Sequence, residues 1–147
     1  MINHKILEGM VTDFKKITGA SDSAESPGSI ELYYLVSTTS IINSVIDASS
    51  QMLDKLLPLD YITIGTHIEI FHENPTLVGE SINLRLKVAK IINSKIFLEF
   101  EGSDSVGIFC RGKYERHIVN KAKLLLSALW FTYDNVLSNH KWLCPKI

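Results

Sequence analysis

The stretch 37-STTSIINSVIDASSQMLDKLLP-58 decides the fold, because the period of the sequence changes where it ends. Ile41, Ile42, Val45, Ile46, Ser49, Met52, Leu53, Leu56 and Leu57 recur at helical spacing and draw one stripe along a long helix. The Ser/Thr cluster at 37–40 offers N-cap side chains, and Pro58 stops the pattern. The residues that follow, 61-YITIGTHIEIFH-72, alternate instead. Ile62, Ile64, Ile68 and Ile70 then share one face of a half-buried strand, and His72 ends that face just ahead of the ENPT turn.

Upstream, 19-GASDSAESPGS-29 is small, polar and broken by Pro27-Gly28, a loop after a short strand at roughly 10–18. Downstream, 81-SINLRLKVAKII-92 sets Ile82, Leu84, Leu86 and Val88 against Asn83, Arg85 and Lys87. Asn93-Ser94 is a turn into 95-KIFLEFEGS-103, and 104-DSVGIFCRGKYERHIV-119 supplies the last strand. The tail reads as helix to about Ser138, with loose last residues, and its Leu124–Trp130 run reads as a packing face rather than a lipid anchor. The expectation is α+β: a short strand, a long helix, four successive strands pairing as antiparallel neighbours, and a terminal helix. Such a sheet has open edges, which a second copy of the chain can cover. With no repeat and no linker, the chain reads as a single domain over 1–147 carrying a helical extension at about 121–147.

Composition removes several classes of function. The chain has 147 residues, 46% apolar and 21% charged, ordinary values for a soluble globular domain. A net charge of −1, with Lys15-Lys16 as the densest basic cluster, gives no field for nucleic acid or an acidic membrane. Cys110 and Cys144 fit no metal-ligand or redox spacing and read as free thiols in a reducing cytosol. The N-terminus lacks a signal-peptide pattern, no stretch reaches the roughly 18 apolar residues of a membrane span, and no Gly-rich phosphate loop is present. A cytoplasmic protein is expected.

Across 37-STTSIINSVID-47, 65-GTHIEIFHENPTLVGESI-82 and 112-GKYERHIV-119 the chain resembles the hot dog fold thioesterases, in the branch typified by fluoroacetyl-CoA thioesterase. The resemblance spans roughly residues 35–120. It rests on the order and spacing of the Gly-Thr, the His before x-x-Pro-Thr, the glycine after it and the late Gly-x-x-Glu-Arg. It implies a homodimeric hot dog fold, an antiparallel sheet wrapped around a long central helix, with acyl-CoA clefts at or near the subunit interface. It implies thioester hydrolysis with no cofactor, CoA entering as part of the substrate, and no metal. The branch uses a threonine at the start of the central helix, an acid two turns later and a histidine at the end of the next strand. By position these are Thr39, Asp47 and His72 as catalytic residues. Gly65 falls where the family has a glycine beside the bound thioester, and Arg116 falls at the family's late arginine, a substrate-binding position. Asp47 departs from the pattern, since the family more often has Glu there. The shorter side chain withdraws the carboxylate by about one C–C bond, and small displacements of a reacting group cost rate.

Each of these residues also has a purely structural reading. Eight residues at about 100° each return to within about 80°, so Thr39, Asn43 and Asp47 form a slowly turning polar stripe. That stripe is either a capping threonine with a solvated acid, or a carboxylate that attacks a thioester carbonyl or activates water, with the threonine orienting it. His72 is either a hydrogen-bonded rim residue or a general acid/base, a role to which imidazole side chains are suited. Period-two alternation places His67 on the opposite face, which argues against the two histidines gripping one metal. Gly65 marks either a bulge or close approach, or an N–H that stabilises an oxyanion. Arg116 shares parity with Tyr114 and Cys110 and needs an acceptor, either a structural one or a ligand phosphate or carbonyl. Cys110 reads as a small core residue. Three functions fit: a thioesterase acting on a small acyl-CoA, a non-catalytic hot dog module binding acyl-CoA or another apolar ligand, and an acyl-thioester hydratase or dehydratase.

Overall fold

The computed structural model describes residues 2–139. Its centre is helix α1, Thr38–Leu53. Ser37 caps it, the side-chain oxygen accepting from the Ser40 N–H at 2.9 Å and so satisfying one of the free donors of the first turn. Ile41, Val45, Ala48, Met52 and Leu53 are buried along one face, with Ser44 and Ser49 between them. Those two hydroxyls donate to the Ser40 and Ile46 carbonyls at 3.0 and 2.8 Å, so burying them leaves no orphan. The buried face is rotated from the stripe drawn on the sequence: Ile46 is 36% exposed, while Ser44 and Ala48 take inner positions. Small side chains there let the helix lie close to the sheet. A 3₁₀ turn, Asp54–Leu56, tightens the helix end ahead of Pro58.

The sheet has five strands: β1 Val11–Ile17, β2 Tyr61–His72, β3 Ser81–Ile92, β4 Lys95–Ser103 and β5 Ile108–Asn120. Their order is β1-β3-β4-β5-β2, all neighbours antiparallel. This corrects the expectation that the four later strands pair in succession. β2 lies at the far edge against β5, from Tyr61↔Asn120 to His72↔Cys110, and β1 takes the free side of β3. Residues 73–80 carry the chain across, held by Val36 N–H to the Thr76 carbonyl at 2.9 Å and the Thr76 hydroxyl to Asp104 at 2.8 Å. The β3–β4 hairpin turns at Asn93-Ser94, with Asn93 left-handed at φ 54. Asparagine takes that conformation more readily than most residues.

The inner face of the sheet carries Leu84, Leu86, Val88, Ile96, Leu98, Cys110, Tyr114 and Ile118 against α1, all buried. Fully burying a Leu or Ile side chain contributes about 1.5–3 kcal/mol. The outer face is charged, and cross-strand pairs alternate in sign along Asp13, Arg85, Glu101 and Arg111. Such opposite-charge pairs suit a surface that meets water.

β2 does not keep one apolar face. The register with β5 shifts between Gly65 and His67, a bulge at Thr66. Ile62 and Ile64 therefore pair with Val119 and His117 on the outer face, whereas Ile68, Ile70 and His72 pair with Tyr114, Gly112 and Cys110 on the inner one. The expected common face of Ile62, Ile64, Ile68 and Ile70 is corrected, because one extra residue inverts parity. His67 stays outside, opposite Glu115.

α2, Lys121–Asn139, continues directly from β5. Its first residue is tied to the start of β2, with Lys121 N–H donating to the Asp60 carbonyl at 2.9 Å and Nζ to the Leu59 carbonyl at 2.8 Å. Leu125, Leu126, Leu129, Trp130, Phe131 and Tyr133 are 60–72% exposed, an apolar surface that the described residues do not cover. No helix among the described residues is long and apolar enough to cross a membrane. The expected loose end of the tail, and Cys144, lie outside the described residues.

Candidate active site

Residues four apart on a helix stack on one side, and α1 uses this outward side to hold Thr39, Asn43 and Asp47 along one cavity of about 580 Å³. The opposite wall is the 21–26 loop with Lys16 of β1. Asp22 sits in that wall, 4% exposed. It accepts from Lys16 Nζ at 2.5 Å, from the Ser40 hydroxyl at 2.5 Å and from the Gly19 N–H at 2.8 Å. Burial pushes the carboxyl up, but these donors outweigh it and hold it below its ordinary 3.8. The cavity thus has one carboxylate fixed as a paired anion and another, Asp47, that is exposed and has no protein partner among the described residues.

His72 approaches α1 from the end of β2. Its Nδ1 lies 2.9 Å from the Thr38 hydroxyl, and its ring meets Phe109 edge to face at 6.1 Å between centroids. Nε2 is buried and meets no hydrogen-bonding group among the described residues. The threonine that touches the imidazole is therefore Thr38, while Thr39 turns to the cavity with Asp47. Adjacent helix residues point about 100° apart, so this Thr-Thr pair addresses the histidine with one member and the acid's cavity with the other. Among the described residues no group of three His, Cys, Asp or Glu side chains is placed to hold a metal.

Gly65 and Arg116 lie elsewhere, opposite each other on β2 and β5. A Cβ at Gly65 would come 2.1 Å from the Tyr114 hydroxyl, so only glycine admits that ring. Arg116 is 3% exposed. Its Nε donates to Thr63 Oγ1 at 2.8 Å, Nη1 to Ser49 Oγ at 2.9 Å and Tyr114 Oη at 3.2 Å, and Nη2 to Ser50 Oγ at 2.9 Å and the Thr63 carbonyl at 2.7 Å. A guanidinium has five N–H donors, and here each has an acceptor within the chain. Thr63 passes the interaction on, its hydroxyl donating to Asp54 at 2.6 Å. Arg116 thus fastens α1 to the β2–β5 pair, and a ligand could reach it only by displacing one of these partners. Cys110 is fully buried, and burial pushes its thiol up to about 12, which leaves it protonated and unreactive at neutral pH.

Sequence reasoning missed Thr38, Asp22, Ser40 and Lys16. The Thr38-Thr39 pair was visible, but periodicity does not tell which threonine meets a histidine 34 positions away. Nothing in the spacing of Lys16, Asp22 and Ser40 announced their convergence.

A family model described as fluoroacetyl-CoA-specific thioesterase matches residues 20–122, more than two thirds of the chain. The chain belongs to the fluoroacetyl-CoA-specific thioesterase family. Solved structures give the family its fold. A hot-dog-like protein from Thermanaerovibrio acidaminovorans is 21% identical, with a TM-score of 0.78 over 86% of this chain and 92% of its own. A thioesterase superfamily member from Thermus thermophilus is 18% identical, with a TM-score of 0.78 over 92% and 98%. Fluoroacetyl-CoA thioesterase itself is 15% identical, with a TM-score of 0.79 over 86% and 97%. Comparison with curated protein sequences gives no match. The five-stranded antiparallel sheet around α1 is a hot dog fold, and membership of the family supports acyl-CoA thioester hydrolysis as the general activity.

Proposed function

We propose that the protein is a homodimeric thioesterase that hydrolyses a small acyl-CoA, with Asp47, His72 and Thr39 as its working residues. The observation that carries this reading is the Asp47 carboxylate, unpartnered among the described residues and facing a cavity of about 580 Å³ beside Thr39 on the same side of α1. An acid used for solubility alone needs no cavity, and one used for structure would have a partner, as Asp22 does. A solved structure of a point mutant of fluoroacetyl-CoA-specific thioesterase holds fluoroacetate and CoA, which favours a short acyl group on the same carrier here.

The chemistry follows from the groups present. In one route Asp47 takes a proton from water, whose oxygen adds to the thioester carbonyl carbon. The tetrahedral oxyanion then collapses, the C–S bond breaks, and the thiolate leaves as CoA thiol after gaining a proton. In the other, an Asp47 oxygen adds to the carbonyl, CoA leaves, and water cleaves the resulting anhydride. Both use His72 as the proton carrier and Thr39 to orient the oxygen that attacks. Gly65 lies away from the Asp47 cavity on β2, an edge strand that no other strand among the described residues pairs on its outer side, so its backbone N–H would serve as an oxyanion donor for substrate shared with a second copy. Arg116 takes no substrate contact in this reading, because its donors are engaged within the chain.

The test is thiol release from a panel of short and medium acyl-CoAs, with protein alone as a blank for its own thiols. Wild type is expected to turn over. Asp47→Asn and His72→Ala are expected to lose about 100-fold or more in kcat with unchanged melting temperatures, the scale of a lost general acid or base. A wild type that releases no CoA from any member of the panel would sink the enzyme reading. Thermal stabilisation by acyl-CoA without turnover would then support a non-catalytic binding module, a reading favoured by the shorter reach of Asp47.

A further inference from the structure

We propose that Thr38 is a positioning residue that sets the tautomer of His72, so that Nδ1 carries the proton and Nε2 presents its lone pair as the base. The observation is a pairing and an orphan on the same ring. Nδ1 lies 2.9 Å from the Thr38 hydroxyl oxygen, while Nε2 is buried with no hydrogen-bonding group in reach among the described residues. A neutral imidazole has one N–H, and the bond made by one nitrogen decides what the other can do.

Two arrangements are open to the pair. If the Thr38 hydroxyl donates to Nδ1, the ring proton must sit on Nε2, an N–H buried without an acceptor. If Nδ1–H donates to the Thr38 oxygen, Nε2 keeps a bare lone pair, and the threonine hydroxyl hydrogen turns to water, since Thr38 is exposed. A buried ring nitrogen without a partner costs about 1–3 kcal/mol whether it is a bare acceptor or an N–H donor, so the orphan alone does not separate the two arrangements. The second arrangement is the one assigned, because it is the form in which Nε2 can accept a proton while the exposed Thr38 hydroxyl keeps its own bond to water. Phe109 packs against the imidazole in a T-shaped arrangement.

The placement of Thr38 explains how a histidine on the sheet is kept in step with an acid on the helix. Thr38 is the first residue of α1, directly after its Ser37 cap, so its hydroxyl is fixed by the geometry of the helix start. Thr39 follows in the same turn and lines the Asp47 cavity. His72 is thus referenced to the helix that carries Asp47, although no bond joins the two site residues directly. The catalytic consequence and the choice of tautomer rest on the thioesterase reading above, whereas the statement that the Thr38 contact fixes a single tautomer does not.

The experiment separates these two layers. Nitrogen-15 NMR of the His72 ring in the full chain reads the tautomer without substrate, and acyl-CoA turnover is measured on the same samples. Wild type is expected to show the Nδ1–H form, Thr38→Ser to keep it, and Thr38→Val to move the ring toward the Nε2–H form. If the enzyme reading holds, Thr38→Val lowers kcat about 100-fold with little change in KM, and Thr38→Ser restores most of it. A wild-type ring in the Nε2–H form, or a Thr38→Val ring still in the Nδ1–H form, overturns the proposal. Should Thr38→Val fail to fold, the wild-type tautomer and a Thr38→Ala variant decide the same question. Absence of turnover in wild type would defeat the enzyme reading while leaving the NMR result to stand or fall alone.

Discussion

Gly65 shows how a residue read for chemistry can be required by packing. The hydroxyl of Tyr114 occupies the space where a Cβ would go, and two of its ring carbons would lie 2.8 and 2.9 Å from that Cβ. Gly65→Ala is therefore expected to push Tyr114 aside, disturb its contact with Arg116, and destabilise the fold by about 1–3 kcal/mol. Denaturant unfolding measures this. Tyr114→Phe in the Gly65→Ala background should recover only part of the loss, because the hydroxyl goes but the ring carbons stay. A Gly65→Ala protein of wild-type stability but no turnover would instead show that the glycine serves the thioester alone. The strand periodicity announced an irregularity at Gly65, since glycine interrupts an isoleucine-rich run. It did not announce Tyr114, which is 49 positions away and meets Gly65 only because β2 crosses to β5.

Among the elements, α1 is held to the sheet in two different ways along its length. Its apolar face buries side chains, which is non-directional and sets no exact rotation. Arg116 adds direction: its planar fork reaches Ser49 and Ser50 on the helix and Thr63 on β2 at once. Thr63 has two tasks there, accepting from Arg116 and donating to Asp54, so Thr63→Val removes both while keeping volume. That variant is expected to lose about 1–3 kcal/mol of stability, since a buried guanidinium donor is left unpaired. Because Arg116 meets α1 at Ser49 and Ser50, and neither Thr39 nor Asp47 is among its partners, turnover at low temperature should fall less than stability does. A loss of turnover in Thr63→Val with unchanged unfolding would mean that Arg116 meets substrate after all. The helix and the strands were legible from period alone, and so was the shared parity of Arg116, Tyr114 and Cys110. The partners of Arg116 were not, because five of its six acceptors come from other elements.

At the scale of the whole molecule, the sequence pattern decided the layers and missed the path between them. Alternation identified β2 and β3 but not that the chain crosses the sheet between them, since crossing leaves no periodic trace in residues 73–80. The bulge at Thr66 was equally silent, and it moved Ile62 and Ile64 to the outer face. Where the fold closes on itself, it does so through buried polar joints. Asp22 is one of these, linking the loop before it, β1 through Lys16 and α1 through Ser40. Its carboxyl is held below the ordinary 3.8, so the folded state keeps the charge where the unfolded chain would take a proton. The contribution is then complete well above the ordinary value, shrinks as pH falls below it, and is gone once the folded carboxyl itself is protonated. Asp22→Asn is expected to be less stable than wild type by about 1–3 kcal/mol at pH 7, by loss of charge-assisted hydrogen bonds. The two proteins should converge as pH falls through the ordinary carboxylate value of 3.8 and below it, because wild type alone loses this contribution. Denaturant midpoints across that range measure the difference, which cancels the other carboxylates common to both proteins. A gap that stays constant with pH would show that the joint works through shape and neutral hydrogen bonds rather than through charge.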